Sequence, residues 1–546
     1  MRIALAQLNY HIGNFESNTG RIIEAIRRAR KEGAGVVVFA EMAVCGYPPR
    51  DFLEFDDFID RCEQSVWHIA KVCTGITAVV GTPTRNPDKK GKKLYNSAVV
   101  LEAGKILSVH HKSLLPNYDV FDEYRYFEPA LHNRPAVIGG GKAAVTICED
   151  LWNIGNELLY RIIPMDELAR HDPGLIINLA ASPFHYLQHE RRLATFRKNV
   201  LKYRLPLVYV NQVGAQTELL FDGASTVMNA GGEVVLGMKC FGEDFRVVDL
   251  EEVKKTAAVP VTADACSKTA LIHDALVMGI RDYFSKSGFD KAILGLSGGL
   301  DSAVTLVLAE RALGKENVWG ILMPSRFSSN HSLEDSFALA ANLGCPHEVI
   351  PIEDAFTAFE QSLSPLFKGL PFNIAEENIQ ARIRGVILMA LSNKFGHILL
   401  NTSNKSEAAV GYGTLYGDMN GGLSVLGDVY KTEVYELARY INRDVEIIPH
   451  NILLKPPSAE LRPGQKDSDS LPAYELLDRI LYGYIEEAQG PNELIDKGFD
   501  RDTVARVLRM VNTSEYKRYQ TPPILRVSPK AFGMGRRMPI VGKYLS

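Results

Sequence analysis

Short runs of Val, Ile and Leu alternate with helix-spaced segments along most of the chain. In the first half "RIALAQL", "GVVVFAE", "TAVVGTP", "SAVVLE", "AAVTICED", "LIINLAAS" and "LVYVNQ" are brief, apolar and punctuated by Gly, Pro or Asn, the pattern of buried strands. Between the first two, "TGRIIEAIRRARKEG" puts Ile22, Ile26 and Ala29 on one face with Gly33 just beyond, which predicts a helix with a glycine stop. The pattern lapses over "LEEVKKTAAVPVTADACSK", so a connector is expected at 251–268 between domains of residues 1–250 and 269–546. Helical spacing resumes in "ALIHDALVMGIRDYFSKSG", and "KAILGLS", "VWGILMP" and "HILLNTS" supply three more strands. The expected class is α/β, with a parallel sheet in the second half and sites at its strand C-termini. The polar "SAELRPGQKDSDSLPAYE" (458–475) reads as a mobile lid or an interface loop, and no internal repeat is visible.

Composition narrows this picture. At 546 residues the chain is too long for one ordinary domain, and its apolar (46%) and charged (23%) fractions are those of a globular protein. A net charge of −4 argues against a general nucleic-acid or membrane-surface binder. The seven cysteines are scattered, odd in number and without C-x-x-C, which suits a reducing compartment and offers no zinc spacing. "MRIALAQLNY" lacks the apolar core of a secretory signal, and no apolar run approaches the ~20 residues of a membrane span. A cytoplasmic location is expected.

The stretch "LGLSGGLDS" (294–302) carries the first candidate chemistry. A strand feeds a turn of Ser297, Gly298 and Gly299, and Asp301 and Ser302 open a helix that Gly314 ends. Unpaired N–H groups and the helix dipole suit such a turn to an anion, yet the lysine of a P-loop is missing. A carboxylate beside a polyphosphate is repulsive unless Mg2+ lies between them. The turn therefore reads as a holder of Mg-bound triphosphate or pyrophosphate, the alternative being a plain glycine turn with an Asp–Ser cap. "NTSNKSE" adds Glu407 as a second hard ligand, "GYGTLYGDMNGGLSVLGDVYKTEV" carries Asp418 and Lys431, and "ENIQARIRG" sets Asn378 and Arg382 one turn apart.

Together these stretches resemble the ATP pyrophosphatases, whose signature is S-G-G-x-D-S. "NIQARIR", "TSNKSE", "GYGTLYGDM" and "PPSAELRPGQKDSDSLPAYE" are similar to the NAD+ synthetase family over about residues 270–546. The resemblance implies a Rossmann-like domain that adenylates deamido-NAD+ with ATP and amidates it with ammonia, releasing AMP and pyrophosphate. It assigns Gly295, Ser297, Gly298, Gly299, Asp301, Ser302, Thr402 and Lys431 to ATP, and Asp301 and Glu407 to Mg2+. Asn378, Arg382, Glu407, Asp418 and Lys517 fall to the deamido-NAD+ side. The family often has glycine where this chain has Asn401.

The first half offers a source for the ammonia. Glu41, Lys112 and Cys148 each follow an apolar strand or stand in the loop beyond it. A thiolate nucleophile needs a base, for which Glu41 serves, and a cation that lowers the thiol pKa and steadies the oxyanion, for which Lys112 serves. The N–H after Cys148 would complete the oxyanion hole. Singly, each of the three reads as an ordinary structural residue. As a trio in this order, they resemble the nitrilase superfamily over about residues 1–245, which implies an α-β-β-α sandwich hydrolysing an amide through a thioester. Nitrilase-like domains joined to NAD+ synthetases act as glutaminases, and Tyr118, Ser182 and Gln188 stand at positions that contact glutamine, Gln188 where a basic residue is common. The pairing implies an enclosed route for ammonia and a homodimer of synthetase domains or a larger assembly.

Two other readings are weaker. Other amidotransferases built on ATP pyrophosphatases carry a different glutaminase, with Cys in a G-x-C-x-G elbow or at the N-terminus, whereas Cys148 sits in "TICED". A nucleotide sensor regulating an amidase has no evident need for two carboxylates beside a pyrophosphate loop.

Overall fold

The computed structural model describes residues 1–156, 158–255 and 267–545. The chain divides into units of residues 1–263 and 264–546, taken here one at a time.

In the first unit the order is β1 (Arg2–Gln7), α1 (Phe15–Lys31), β2 (Val36–Val38), α2 (Asp56–Val72), β3 (Thr77–Arg85), β4 (Leu94–Glu102), β5 (Lys105–His111), β6 (Ala136–Ile138) and β7 (Gly141–Ile147). Then come α3 (Pro164–Ala169), β8 (Leu175–Ala180), α4 (Gln188–Tyr203), β9 (Leu207–Asn211), β10 (Val213–Gln216), β11 (Leu219–Asp222), β12 (Thr226–Met228), β13 (Val234–Gly237), β14 (Asp244–Asp249) and α5 (Leu250–Val253). Two six-stranded sheets result, ordered β14-β1-β2-β3-β4-β5 and β13-β12-β9-β8-β7-β6. Strand alternation sorts the core into layers. Ile3 and Leu5 of β1 join β7, β8 and β9 in the core between the sheets. Ala4 and Ala6 face the other way, with Ile22 and Ile26 of α1 and Ile59 and Val66 of α2. Phe196 and Val200 of α4 pack with the second sheet, completing an α-β-β-α sandwich.

The two sheets share one pattern. Read from β14 and from β6 respectively, each runs antiparallel, parallel, parallel, antiparallel, antiparallel. The repeat absent from the sequence is thus present in the topology. Alternation only demands apolar residues at every second position, and many unrelated strings satisfy it. Of the connector expected at 251–268, residues 256–266 lie outside the described residues, and its first residues are helical in α5 rather than irregular.

The second unit contains α6 (Lys268–Ser287), β15 (Ala292–Gly295), α7 (Leu300–Leu313), β16 (Val318–Leu322), α8 (Asn330–Leu343), β17 (His347–Val349), α9 (Glu353–Phe367), α10 (Ile374–Phe395), β18 (Ile398–Asn401), α11 (Lys405–Val410), β19 (Leu423–Ser424) and α12 (Lys431–Ile441). Helices α13 (His450–Leu454), α14 (Tyr474–Ile485), α15 (Pro491–Asp496), α16 (Arg501–Thr513) and α17 (Glu515–Arg518) follow. The sheet order is β17-β16-β15-β18-β19, parallel throughout. Strand order reverses beside β15, so a crevice opens at the ends of β15 and β18.

The C-terminal helices hold α11 in place. Leu477 and Leu481 of α14 pack with Val504 and Val507 of α16 and with Ala409 and Val410 of α11. Lys405, fully buried, pairs with Asp428 at 2.8 Å and with Glu486, and donates to Ser528 Oγ at 2.7 Å and Lys530 O at 2.8 Å. Burial pulls its pKa down, but the two carboxylates outweigh burial and the amine stays charged. Lys405→Met strands two buried carboxylates. It is expected to lower the unit's stability by about 3–5 kcal/mol, read from denaturant unfolding.

Candidate functional site

In the first unit three strand ends converge. Chain 39–41 leaves β2 close against Gly81 of β3. A Cβ on Gly81 would lie 2.7 Å from Glu41 Cα and 2.4 Å from Ala40 O, so only glycine lets the Glu41 loop pass. Lys112 directly follows β5, and Cys148 directly follows β7 with φ +40, a left-handed conformation few side chains adopt. Lys112 Nζ donates to Glu41 Oε1 at 2.7 Å and to Glu123 Oε1 at 2.8 Å. Asn96 Nδ2 donates to the same Glu41 oxygen at 2.6 Å, and Ala181 N–H to Glu41 Oε2 at 2.9 Å. All four charged or nucleophilic groups are buried.

Their electrostatics depart from the sequence expectation in one respect. Burial and the Glu41 carboxylate push the Cys148 thiol well up, and Lys112 pulls it back only in part. Lys112 acts in the expected direction but is outweighed, because it already neutralises two carboxylates. The resting thiol is therefore protonated. Lys112 itself is pulled down by burial and raised further by Glu123 and Glu41, so it is a fixed cation. Burial lifts Glu123 to about 7 against the pull of Lys112.

Glutamine-side candidates flank this cluster. Tyr118 OH donates to Glu149 Oε1 at 2.8 Å, next to the nucleophile, and Tyr160 OH donates to the same oxygen at 3.2 Å. Ser182 follows Ala181, whose N–H holds Glu41, and its Oγ accepts from Gln188 Nε2 at 3.3 Å. Glu149 is lifted to about 7 by burial. Glu123, Asn96, Glu149 and Tyr160 escaped sequence reasoning. Glu149 lies inside "AAVTICED", but only burial distinguishes it and Glu123 from surface acids.

In the second unit a cavity of about 300 Å3 opens at the ends of β15 and β18. Gly295, the 297–302 turn, Thr402, Glu407, Asp418 and Lys431 all line it. Ser302 Oγ donates to Gly299 O at 3.0 Å and accepts from Ser297 N–H at 3.3 Å, folding the turn back over the start of α7. Gly298 holds φ +73, and a Cβ there would meet Ser332 O at 2.3 Å. A side chain at Gly298 therefore forces the turn away from the start of α8.

Asp301 accepts from Asn404 Nδ2 at 3.0 Å and pairs with Lys431. Glu407 and Asn404 form a reciprocal cap on α11, Glu407 N–H donating to Asn404 Oδ1 at 3.0 Å and Asn404 N–H to Glu407 Oε2 at 3.3 Å. Burial and the nearby Asp301 carboxylate raise Glu407 well above the usual carboxylate range. Burial lowers Lys431, but Asp301 and Glu407 reverse this and keep it charged. The 458–475 stretch also faces the cavity. Glu460 accepts from Ser332 Oγ at 2.9 Å and Lys455 Nζ at 2.6 Å, and Leu461 O accepts from Gln380 Nε2 at 2.9 Å. Asn401 Nδ2 donates to Asp418 O at 2.8 Å and Asn420 O at 3.0 Å, stitching down the glycine-rich loop.

The structure does not bring every candidate to the cavity wall. Asn378 Oδ1 accepts from Thr414 Oγ1 at 2.7 Å, Arg382 Nε donates to Leu415 O at 3.2 Å, and Lys517 Nζ donates to Gly411 O and Gly413 O at 2.7 and 2.8 Å. These three brace the 411–415 loop. Arg384, two residues on from Arg382 and so on the opposite face of α10, does line the cavity, its pKa lowered to about 10 by burial. Among the described residues no group of three or more His, Cys, Asp or Glu side chains is arranged for a metal, and no helix is long and apolar enough to cross a membrane.

Residues 2–257 match the family model described as carbon-nitrogen hydrolase, and residues 272–521 match that of NAD synthase. A glutamine-dependent NAD(+) synthetase from Synechocystis sp. is 46% identical over 551 aligned positions, covering 98% of both chains. That from Thermotoga maritima is 43% identical, covering 100% of this chain and 99% of its own. This chain belongs to the glutamine-dependent NAD(+) synthetases. A solved member of the family, from Acinetobacter baumannii in complex with adenosine diphosphate, superposes with a TM-score of 0.78 at 40% identity, covering 100% of this chain and 99% of its own. The two family models fall one on each of the two units.

Proposed function

We infer that the chain is a ligase that makes NAD+ from deamido-NAD+, ATP and glutamine, and that the two sites divide the work. The observation that carries this reading is the pairing, on one chain, of the buried Glu41–Lys112–Cys148 cluster with the cavity of the 297–302 turn.

At the first site the protonated thiol calls for a base at the moment of attack. Glu41 takes the Cys148 proton as sulfur adds to the glutamine amide carbon, and the Lys112 ammonium faces the developing oxyanion. On collapse the amino group takes the proton from Glu41 and leaves as ammonia, and water then releases glutamate from the thioester. Glu149, Tyr118, Ser182 and Gln188 are the groups offered to the amino-acid end of the substrate. We assign the first task to residues 1–250 and the second to residues 269–546, on either side of the 251–268 connector.

At the second site the nicotinate carboxylate of deamido-NAD+ attacks the α-phosphorus of ATP and pyrophosphate leaves. The open N–H groups at the start of α7 and the Lys431 ammonium stabilise that leaving group. Ammonia then displaces AMP from the acyl-adenylate. The residues present fit Mg2+: Asp301 and Glu407 are hard oxygen ligands close enough to perturb one another, and Mg2+ is commonly held by one or two carboxylates plus substrate phosphates. When bound, the ion would neutralise phosphate charge. Lys431 is the cation that holds Asp301 otherwise.

Asn378, Arg382 and Lys517 lie off the cavity wall, Arg382 shares an exposed stripe of α10 with Val386 and Met389, and Leu366, Leu370 and Ile374 are exposed as well. An apolar surface of this kind suits a second copy of the chain, so a homodimer through α9 and α10 is proposed. The reaction is tested by its nucleotide products. AMP and pyrophosphate in equal amounts with NAD+ support it, and ADP with phosphate contradicts it.

A further inference from the structure

One buried carboxylate outside the Glu41–Lys112–Cys148 trio ties two of the three strand ends together. Asp150 is 3% exposed. Its Oδ1 accepts from the N–H groups of Ser113 and Leu114, both at 3.0 Å, and its Oδ2 accepts from Ile147 N–H at 3.0 Å. Ser113 directly follows Lys112, and Ile147 directly precedes Cys148. Hydrogen bonds to a carboxylate are roughly twice as strong as neutral ones, so these three make a stiff bracket. The bracket also restrains the turn in which Cys148 holds φ +40. No other carboxylate of the site does this. Glu123 meets Lys112 at its ammonium, and Glu149 meets two tyrosines.

We propose that Asp150 is a positioning residue for amide hydrolysis, its carboxylate fixing the Lys112 backbone against the Cys148 turn and so setting the approach of ammonium to sulfur. This rests on the glutaminase reading of the first site. A residue that merely holds the fold would affect stability alone. A residue that sets this approach also affects turnover more than substrate affinity, and it affects the pH at which the thiol reacts.

Asp150→Asn in the full chain separates the two roles. The Asn oxygen still accepts from Ser113 and Leu114, while its NH2 opposes the Ile147 N–H and breaks the bracket on the cysteine side only. Glutamine hydrolysis is expected to lose about 100-fold in kcat with KM within about threefold. The pH profile of Cys148 alkylation by iodoacetamide, with Cys148→Ala protein as the blank for other thiols, is expected to move up by about one unit as Lys112 drifts from sulfur. A cooperative thermal transition and ammonium-dependent NAD+ formation are both retained. Unchanged kcat and an unchanged alkylation profile overturn the proposal. So does a loss of hydrolysis matched by loss of the thermal transition, which would make Asp150 a fold-holding residue. Wild-type protein that hydrolyses no glutamine would instead overturn the glutaminase reading itself.

Discussion

Cys148→Ala is expected to abolish glutamine-dependent NAD+ formation, by roughly 10^4-fold or more, because the proposed thioester forms on its sulfur. Of the remaining described cysteines, Cys45, Cys62, Cys73 and Cys345 are buried and Cys240 is exposed. Glu41 and Lys112 both act electrostatically on Cys148. With ammonium as nitrogen source the same variant forms NAD+ within about twofold of the wild-type rate, as expected of independent sites. The pair of rates, measured on one preparation, tells a lost nucleophile from a damaged protein, since damage lowers both. The alanine replaces a small buried side chain with one smaller still, and the Lys112–Glu41–Glu123 contacts do not pass through it.

Asp301→Asn produces the complementary loss. NAD+ formation falls by about 10^3-fold or more with either nitrogen source, whereas glutamine hydrolysis persists. Two effects combine. The amide still accepts from Asn404, but it no longer balances Lys431, which then sits charged against Glu407 alone. The turn also loses one of the two carboxylates proposed for Mg2+, which Asn supplies only as a neutral ligand. Steady-state rates at several Mg2+ concentrations check this, with partial recovery at high Mg2+ expected. A variant losing activity with glutamine but not with ammonium would contradict the role given to Asp301.

Much of the architecture was legible because its strands are short, apolar and punctuated. β1, β2, β8, β9, β15, β16 and β18 fall within the runs that predict them, β3, β4 and β7 extend past theirs, and α1 ends just before Gly33 as its spacing requires. The strands that escaped carry a different signal. β17 is His347–Val349, exposed at every position, and β19 is two residues long. Edge position and pairing make these strands, and neither leaves an apolar run. Likewise β5 alternates partly exposed residues, and its outward Leu107 and Val109 give no buried pattern.

The site was legible where a residue type must recur with a fixed neighbour, as in the 297–302 turn. It was illegible where partners meet only in the fold. Asn96 reaches Glu41 across 55 positions, and Asp150 reaches Ser113 across 37. Such residues look like ordinary polar positions until burial removes water and leaves them only these partners. The net shift of the thiol was illegible for a related reason, since Lys112 lowers it as expected but burial and Glu41 outweigh that pull. The sequence places Lys112 in the set but cannot reveal that Glu41 and Glu123 already claim its charge.

The central claim is that nitrogen freed at Cys148 ends in NAD+. Glutamine carrying a heavy-nitrogen label in its amide, supplied with ATP, Mg2+ and deamido-NAD+, tests it directly. The account predicts labelled NAD+ together with one glutamate and one AMP per NAD+ at limiting glutamine. Glutamate formed while all of the label stays in free ammonium and no NAD+ appears would contradict it, leaving an amidase beside a nucleotide-binding unit that does not use its product.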